Sequence, residues 1–244
     1  MRSVIVTEAS RGLGLGIARR LASDGYRVIA VARNRSEALT DAIGHAQTQA
    51  RGEICFAPFD LVRIDAVHEF VRLLRRAHGP IWALVNNAGI SVEGLLASAA
   101  TADIEQVVRI NVTAPMILTK HVARAMMSAG EGRVVNMSSI VASTGYAGLS
   151  VYAATKASMV GFTRSLAREL GPVGVTVNAV APGFVDTDLT AHMTPENRGR
   201  VANRAALRRM PGTEDVASAV AWLLSDEASN ITGTVLTVDA GATA

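Results

Sequence analysis

The fold is predicted best by the stretch Ser3-Val-Ile-Val-Thr-Glu-Ala-Ser-Arg-Gly-Leu-Gly-Leu-Gly16. Its apolar first part, Ser3 to Thr7, is typical of a buried strand, and the glycine-rich part is typical of a tight turn. An amphipathic segment follows to about Asp24, and Gly25 ends it, as expected for a helix. The sequence therefore opens with a predicted strand, turn and helix.

The same alternation of strand and helix continues along the chain and indicates a parallel sheet, because parallel strands need helical crossovers between them. We predict an α/β fold, a single-domain Rossmann-type doubly wound sheet of seven parallel strands with helices on both faces, spanning residues 1–244. After the first, the predicted strands are Val28–Ala32, Glu53–Ala57, Ala83–Val85, Arg133–Met137, Val175–Ala181 and Val235–Val238. The predicted helices after the first are Ser36–Gln49, Ile64–Ala77, Asp103–Met127, Val151–Leu170 and Thr213–Ser225.

Composition excludes several other classes of protein. Hydrophobic residues make up 49% of the 244 residues and aromatic residues only 4%, which favours a core of Ala, Val, Leu and Ile. The net charge of +3 comes from scattered basic residues, so no nucleic-acid partner is expected. Cys55 is the single cysteine and the five histidines lack metal-ligand spacing, so neither a disulfide nor a metal site is predicted.

The sequence also predicts a cytoplasmic protein without a membrane partner. The uncharged run from Val134 to Thr155 is long enough to span a bilayer, but Ser, Thr, Asn and Gly interrupt it. Met1 and Arg2 lead directly into the first strand, with no apolar leader segment. A single cysteine fits a reducing compartment.

The glycine turn predicts a site for a dinucleotide. Gly12 and Gly14 precede a helix N-terminus, where free backbone amides and the helix dipole suit a pyrophosphate. Arg33 follows the second strand, 19 residues after Gly14, where an acidic residue would favour NAD and a cation favours the 2′-phosphate of NADP. Arg11 could assist. The alternatives are a purely structural turn and two exposed arginines that bind nothing.

Three further positions follow predicted strands or interrupt a predicted helix. Asn86-Asn-Ala-Gly89 has the small and amide side chains that suit a cofactor packed against backbone, or else forms a plain turn. Asp60 could accept a hydrogen bond from an adenine amino group or cap the next helix. Asn111 lies within a predicted helix, where an amide is unfavourable, so either core hydrogen bonding or catalysis has to explain it.

The candidate catalytic residues are Ser139 and the pair Tyr152-x-x-x-Lys156. A four-residue step returns to the same helix face, so the phenol and the ammonium point into the same space. A fixed cation favours the phenolate, so we expect Lys156 to lower the pKa of Tyr152. Ser139 adds a neutral hydroxyl donor. The group suits proton transfer at an oxygen whose carbon gains or loses a hydride.

Only Lys120 and Lys156 among the 24 basic residues are lysines, which suggests that position 156 requires a compact charge.

The region from Asp188 to Met210 is the least patterned, and we expect residues 188–210 to cover the substrate. Arg200, Arg204 and Arg208 would form one basic stripe if this region is helical. Such a stripe is either solvated surface or a site for an anionic carrier or coenzyme A.

With these motifs in this order, and with Pro182-Gly183 after the sixth strand, the chain resembles the short-chain dehydrogenase/reductase family over essentially its whole length. The closing segment Ile231–Gly241 and the stretch Val180–Thr187 resemble most the 3-oxoacyl carrier protein reductase branch. The resemblance implies a homotetramer that uses a nicotinamide cofactor, for which Arg33 favours NADP, with NAD as the alternative. Its substrate would be a small-molecule carbonyl or an acyl thioester.

The resemblance also assigns roles to individual residues. Tyr152 would be the general acid/base, Lys156 would hold the nicotinamide ribose and lower the tyrosine pKa, and Ser139 would hold the substrate oxygen. Asn111 would hold a water that links the lysine to solvent. The expected cofactor contacts are Thr7, Ser10, Arg11, Gly12, Leu13, Gly14, Arg33, Asp60, Leu61, Asn87, Ala88, Gly89, Tyr152, Lys156, Pro182, Gly183, Val185 and Thr187.

Two departures from the family pattern affect the predicted function. Glu8 stands where the family has its first glycine, and its carboxylate would repel a nearby phosphate unless Arg11 or Arg33 neutralises it. Carrier-binding reductases have basic residues just before the fifth and sixth strands. This chain has Ala129-Gly-Glu131 and Pro172-Val-Gly174 at these positions, without a basic residue. We predict an NADP-preferring carbonyl reductase, with 3-oxoacyl thioesters as the first substrate class. Acetoacetyl coenzyme A, a sugar, a steroid or another secondary alcohol is the alternative substrate, and a non-catalytic dinucleotide-binding protein is the alternative function.

Overall fold

The computed structural model describes residues 1–185 and 194–244. Seven strands form one parallel sheet, in the order β3-β2-β1-β4-β5-β6-β7. The strands are β1 (Ser3–Thr7), β2 (Arg27–Ala32), β3 (Glu53–Pro58), β4 (Ile81–Asn86), β5 (Gly132–Met137), β6 (Val175–Pro182) and β7 (Val235–Val238). The predicted sheet of seven parallel strands is confirmed.

Helices cover both faces of this sheet. They are α1 (Gly12–Ser23), α2 (Glu37–Gln49), α3 (Val67–His78), α4 (Thr101–Val108), α5 (Ala114–Ala129), α6 (Val141–Thr144), α7 (Ser150–Leu170), α8 (Pro195–Arg204) and α9 (Thr213–Leu224). Apolar residues of α1, α2 and α9 form one core with the sheet, and those of α3, α5 and α7 form a second core on the opposite face. The doubly wound arrangement is therefore confirmed.

The apolar pattern explains why these segments form these elements. Every residue of β1, β4, β5 and β6 is buried, because helices cover a parallel strand on both sides. In α3 the buried residues are Val67, Phe70, Val71 and Leu74, which form one face of a helix. None of the described helices is both long and apolar enough to cross a membrane.

The strand order places a crevice at one edge of the sheet. The chain moves outward from β1 through β2 to β3, and then returns to the other side of β1 to form β4. The loops after β1 and β4 therefore diverge at the carboxyl ends of these strands, which is where ligands bind in open α/β sheets. The glycine turn follows β1 at this point.

The prediction of one continuous α-helix over Asp103–Met127 was wrong at its centre. Residues Arg109–Thr113 form a π-helical segment between α4 and α5. A π segment widens the turn locally, and such segments are frequent at functional sites. Asn111 lies inside it, so the residue that disfavours a regular helix occupies the place where the helix is irregular.

The predicted basic stripe was also wrong. Arg200 and Arg204 belong to α8, which begins after Thr194, whose hydroxyl accepts a hydrogen bond from the backbone N of Asn197 (3.3 Å). Arg208 lies beyond this helix with a positive φ of 50°, so the three side chains do not continue on one helix face. Of the segment expected to cover the substrate, residues 188–193 lie outside the described residues.

Candidate active site

A cavity of about 640 Å³ opens at the carboxyl edge of the sheet. Its walls are the glycine turn after β1, the segments that follow β4, β5 and β6, and the first turns of α7. A volume of this order suits a small-molecule or cofactor site. The predicted residues that line it are Arg11, Gly12, Leu13, Gly14, Asn87, Gly89, Ser139, Tyr152, Lys156, Pro182, Gly183 and Val185.

The glycine turn is held tightly against the segment that follows β4. A Cβ atom on Gly14 would lie 2.2 Å from the carbonyl oxygen of Glu8 and 2.6 Å from Nδ2 of Asn87, so only glycine fits there. Gly12 has a φ of +53°, which glycine adopts readily. The Thr7 hydroxyl accepts hydrogen bonds from the backbone N atoms of Asn87 and Ala88, both at 2.9 Å. These contacts bring the turn at the start of α1 and the end of β4 together around one space.

Tyr152 and Lys156 lie on α7 and both line the cavity, as their spacing predicts. Lys156 is only 4% exposed, and its Nζ donates a hydrogen bond to the carbonyl oxygen of Met137 (2.9 Å). The same Nζ lies 5.6 Å from the centre of the Tyr152 ring. Ser139 follows β5 and lines the same cavity, and its Oγ donates to the carbonyl oxygen of Pro182 (3.5 Å). The structure thus brings three of the four predicted catalytic side chains together.

The electrostatics of this group differ from the prediction. Burial raises the pKa of the Tyr152 phenol above its ordinary value, and the neighbouring Ser139 hydroxyl opposes this effect. Burial also lowers the pKa of Lys156 to about 8. The pKa of Tyr152 is therefore raised and not lowered as expected, because desolvation dominates. At neutral pH the phenol keeps its proton.

Asn111, the fourth residue, lies behind the cavity wall and is 2% exposed. Its Oδ1 accepts from the backbone N of Ile90 (2.9 Å), and its Nδ2 donates to the carbonyl oxygen of Ile90 (2.8 Å) and to Oγ1 of Thr155 (3.0 Å). It therefore joins the segment after β4 to α7. A Cβ on Gly89 would lie 3.2 Å from Nζ of Lys156 and 3.5 Å from Oδ1 of Asn111, so Gly89 keeps the space beside the lysine open.

Buried amide and hydroxyl groups support the strands beneath the cavity. Nδ2 of Asn86 donates to Oγ1 of Thr119 (2.9 Å) and to Oδ1 of Asn136 (2.8 Å). Nδ2 of Asn136 donates in turn to Oγ1 of Thr163 (2.9 Å). These contacts connect β4 and β5 with α5 and α7. Asn86, which the sequence suggested for cofactor packing, thus serves the interior of the fold.

At the other end of the cavity, two charged side chains of the glycine turn lie close together. Glu8 has a positive φ of 54°, and its Oε1 lies 3.8 Å from Nη2 of Arg11. Both residues line the cavity. Arg33 is exposed at the end of β2 and is not among the lining residues.

Several predicted cofactor contacts have structural roles in the described residues. Oδ1 of Asp60 accepts from the backbone N of Val62 (3.0 Å) and closes a turn. The carbonyl oxygen of Ser10 accepts from the Ser36 hydroxyl, and Leu61 packs against the core beneath α3 and α5. Thr187 lies outside the described residues.

The sequence analysis missed the apolar wall of the cavity. Tyr146 and Phe184 meet edge to face with ring centres 5.8 Å apart, although 38 residues separate them. Leu149 lies between Tyr146 and Tyr152 in sequence and lines the same wall. Only 4% of the residues in the chain are aromatic. The signal available for this wall was that Tyr146 and Phe184 each stand next to a glycine in a segment that follows a predicted strand. The other missed lining residues are Ser91, Glu93, Gly94, Met137, Ser138, Ile140, Val141, Ala147 and Gly148.

Comparison with known proteins identifies the family. A sequence model described as short chain dehydrogenase matches residues 2–198. The chain is a short-chain dehydrogenase/reductase. It is accordingly an oxidoreductase of the family that transfers hydride between a nicotinamide cofactor and a carbonyl or alcohol.

Named relatives cover nearly the whole chain. The 3-oxoacyl-acyl carrier protein reductase FabG of Escherichia coli (strain K12) is 38% identical over 240 residues, which are 97% of this chain and 95% of the relative. The enzyme with the same name from Aquifex aeolicus is 37% identical over 240 residues, with the same coverage. The resemblance to this branch is therefore confirmed for this short-chain dehydrogenase/reductase.

Solved structures agree with the fold. A short-chain type dehydrogenase/reductase from Mycobacterium ulcerans has a TM-score of 0.92 at 33% identity and covers 99% of this chain and 89% of its own. A candidate gluconate dehydrogenase from Agrobacterium tumefaciens has a TM-score of 0.94 at 25% identity. The match covers 100% of this chain and 96% of the dehydrogenase.

Proposed function

We propose that this short-chain dehydrogenase/reductase uses NADPH to reduce 3-oxoacyl thioesters to 3-hydroxyacyl thioesters. The observation that carries the proposal is the position of the Tyr152 phenol, which lines the cavity together with Ser139 and Lys156, with Nζ of Lys156 5.6 Å from the centre of its ring. The names of the relatives support the substrate class.

The residues at the carboxyl edge fit a dinucleotide. The close approach of Gly14 to Glu8 and Asn87 leaves room for backbone only, so the amides at the start of α1 are available to the pyrophosphate. Gly89 keeps the space beside Lys156 open, and Lys156 would hold the nicotinamide ribose. Arg11 and Arg33 would hold the 2′-phosphate. When bound, the coenzyme supplies the hydride to the substrate carbon.

The side chains of this chain supply the proton. Tyr152 donates its phenolic proton to the carbonyl oxygen as the carbonyl carbon gains the hydride, and the product is a secondary alcohol. Ser139 donates a hydrogen bond to the same oxygen and fixes its position. The ammonium of Lys156, 5.6 Å from the ring centre, stabilises the phenolate that remains until a proton from solvent restores the phenol.

The apolar wall favours an acyl chain over a polyhydroxylated substrate. Tyr146 and Phe184 contact each other edge to face in the cavity lining. Leu149, Ile140 and Val141 are further apolar residues of the lining. Apolar surface that an acyl chain covers is removed from water, whereas sugar hydroxyls there would lose hydrogen bonds to water. We therefore place 3-oxoacyl thioesters first.

A substrate panel tests the proposal. The purified protein is incubated with NADPH and either acetoacetyl coenzyme A or a 3-oxoacyl carrier protein, and in the reverse direction with gluconate and NADP⁺ or NAD⁺. The expected result is NADPH consumption with a thioester and no activity on gluconate. Turnover of gluconate alone would favour a sugar-acid dehydrogenase, and the absence of all turnover in protein that binds NADPH would favour a non-catalytic binding protein.

We extend the proposal to the assembly that the family resemblance implies, a homotetramer in the cytoplasm. The mass of the purified protein in solution checks the number of subunits, and cell fractionation checks the location.

A further inference from the structure

The glycine turn contains a strained residue with a charged side chain. Glu8 is not glycine, yet its φ of 54° lies in the left-handed region. L-residues rarely adopt this conformation, and those that do cluster at ligand sites and functional turns. The chain thus has a carboxylate at a position where the side chain strains the backbone.

The strained backbone fixes the carboxylate at the Arg11 end of the cavity. The carbonyl oxygen of Glu8 packs against Gly14, and the backbone N of Ala9 donates to the carbonyl oxygen of Val31 in β2 (3.2 Å). The side chain of Glu8 then lies 3.8 Å from that of Arg11. Arg33 follows β2 two residues after Val31. The Glu8 carboxylate thus pairs with the Arg11 cation at the cavity, while Arg33 follows the neighbouring strand β2.

We infer that Glu8 compensates the charge of Arg11 and thereby reduces the preference of the site for a coenzyme with a 2′-phosphate. The inference rests on the proposed use of NADPH. A phosphate that binds Arg11 has to displace the carboxylate of Glu8, whereas NADH, which has no 2′-phosphate, leaves the ion pair in place. Glu8 therefore makes the two coenzymes more similar in affinity, while Arg11 and Arg33 favour NADPH.

The substitution Glu8→Gln tests this inference, because glutamine keeps the size of the side chain and the same backbone strain. A partly exposed ion pair has a modest effect, so we expect the affinity for NADPH to rise about three- to fivefold while that for NADH stays constant. Dissociation constants measured by calorimetry give the ratio directly. The gain should shrink at high salt, since exposed charges are screened.

Glu93→Gln is the matched control. Glu93 is also a carboxylate of the cavity lining, but it lies in the segment after β4, where the backbone N of neighbouring Gly94 donates to the carbonyl oxygen of Gly148 (3.0 Å). This variant has the same change in net charge and should leave the ratio of the two dissociation constants unchanged. An equal rise in both variants would overturn the inference, because net charge alone would then explain the result.

A double-mutant cycle with Arg11→Gln tests whether Glu8 acts through Arg11. In the Arg11→Gln background, the effect of Glu8→Gln on the affinity for NADPH should differ in size from its effect in the parent, because the carboxylate has lost its ion-pair partner. A gain of the same size in that background would overturn the ion-pair explanation, because the carboxylate would then repel the phosphate directly.

Adenosine 2′,5′-bisphosphate and adenosine 5′-phosphate separate this inference from the proposed function. The two probes differ only in the 2′-phosphate and cannot transfer hydride. If Glu8→Gln increases the affinity for adenosine 2′,5′-bisphosphate but not for adenosine 5′-phosphate, the inference is supported even in a protein without reductase activity. An unchanged ratio in a protein that reduces thioesters with NADPH would overturn the inference and leave the proposed function intact.

Discussion

At the level of single residues, two groups of the candidate active site have pKa values that burial moves in opposite directions. The pKa of Tyr152 is raised and that of Lys156 is lowered to about 8, since burial disfavours the charged form of both. Below pH 8 the site therefore contains a protonated phenol beside an ammonium. This is the state required of a proton donor whose product is a phenolate.

Tyr152→Phe should abolish nearly all reduction while NADPH binding and the fold persist. Loss of a general acid reduces the rate typically 10²- to 10⁴-fold. Steady-state kinetics and NADPH titration measure the two properties. Tyr26→Phe is the control, because Tyr26 stacks on Trp82 at the opposite edge of the sheet, and its activity should equal that of the parent. A loss below about tenfold in Tyr152→Phe would rule out the assignment.

Lys156→Met should make the protein inactive but more stable at neutral pH. In the unfolded chain the lysine pKa is near 10.5, so between pH 8 and pH 10.5 the unfolded state binds more protons and stability rises with pH. Below pH 8 the buried ammonium destabilises the fold by about 3 kcal/mol. The loss of the hydrogen bond to Met137 offsets part of this, so we expect a gain of about 1–3 kcal/mol in the free energy of unfolding at pH 7.

Urea denaturation of the parent, Lys156→Met and Lys120→Met at pH 7 and pH 10 measures this gain. Lys120 is the other lysine of the chain and is exposed, so its replacement should change stability little at either pH. A Lys156→Met gain that does not decrease at pH 10 would show that apolar packing, rather than the buried charge, explains it.

At the level of elements, the irregular helix from Thr101 to Ala129 contacts the segments that hold the candidate catalytic group. The π segment places the Asn111 amide where it bonds both backbone groups of Ile90 and the Thr155 hydroxyl. A regular α-helix would turn this side chain to a different angle. The segment after β4, which contains Gly89, is thereby fixed beside Lys156.

Asn111→Ala should destabilise the protein and slow catalysis together. It leaves the backbone groups of Ile90 without their partner, at a cost of about 1–3 kcal/mol in the free energy of unfolding. It also releases Gly89 from its place beside Lys156, so turnover should fall. Asn203→Ala in α8, an exposed helical asparagine, is the matched control for urea denaturation and kinetics. Normal stability with normal turnover in Asn111→Ala would refute this role.

At the level of the whole molecule, the carboxyl and amino edges of the sheet have different roles. The carboxyl edge holds the cavity, while the amino edge is closed by a cluster around Trp82. The ring of Tyr26 stacks on that of Trp82, with the ring centres 5.7 Å apart. The guanidinium carbons of Arg2 and Arg133 lie 4.4 and 5.4 Å from the centre of the Trp82 ring. Nε1 of Trp82 donates a hydrogen bond to the carboxylate of Glu131 (3.2 Å). A register shift between β1 and β4 occurs at Trp82.

Trp82→Leu should therefore reduce stability without changing the chemistry. Loss of a buried aromatic residue and of its cation contacts should lower the free energy of unfolding by about 2–4 kcal/mol. The kcat/KM of the folded protein should stay constant, because this cluster lies at the edge opposite the cavity. Trp222→Leu is the control, since Trp222 is 40% exposed and its loss should change stability less. An altered kcat/KM with unchanged stability would contradict the separation of the two edges.

The sequence by itself determined the features that depend on neighbours along the chain. The alternation of strand and helix, the glycine turn at Gly12 and Gly14, and the shared helix face of Tyr152 and Lys156 all follow from local backbone geometry and periodicity. For this reason the sequence predicted the sheet, its crevice and the shared position of Tyr152 and Lys156, while the resemblance to the family supplied the candidate roles of Ser139 and Asn111.

Only the tertiary structure decided the features that depend on burial and on contacts between distant segments. The raised pKa of Tyr152 follows from desolvation, which the spacing to Lys156 does not report. The Tyr146–Phe184 wall needs the segments after β5 and β6 to meet, and the π segment at Asn111 depends on the partners that Ile90 and Thr155 provide. Charge, burial and partner geometry are set by the packed molecule, because residues far apart in sequence create them together.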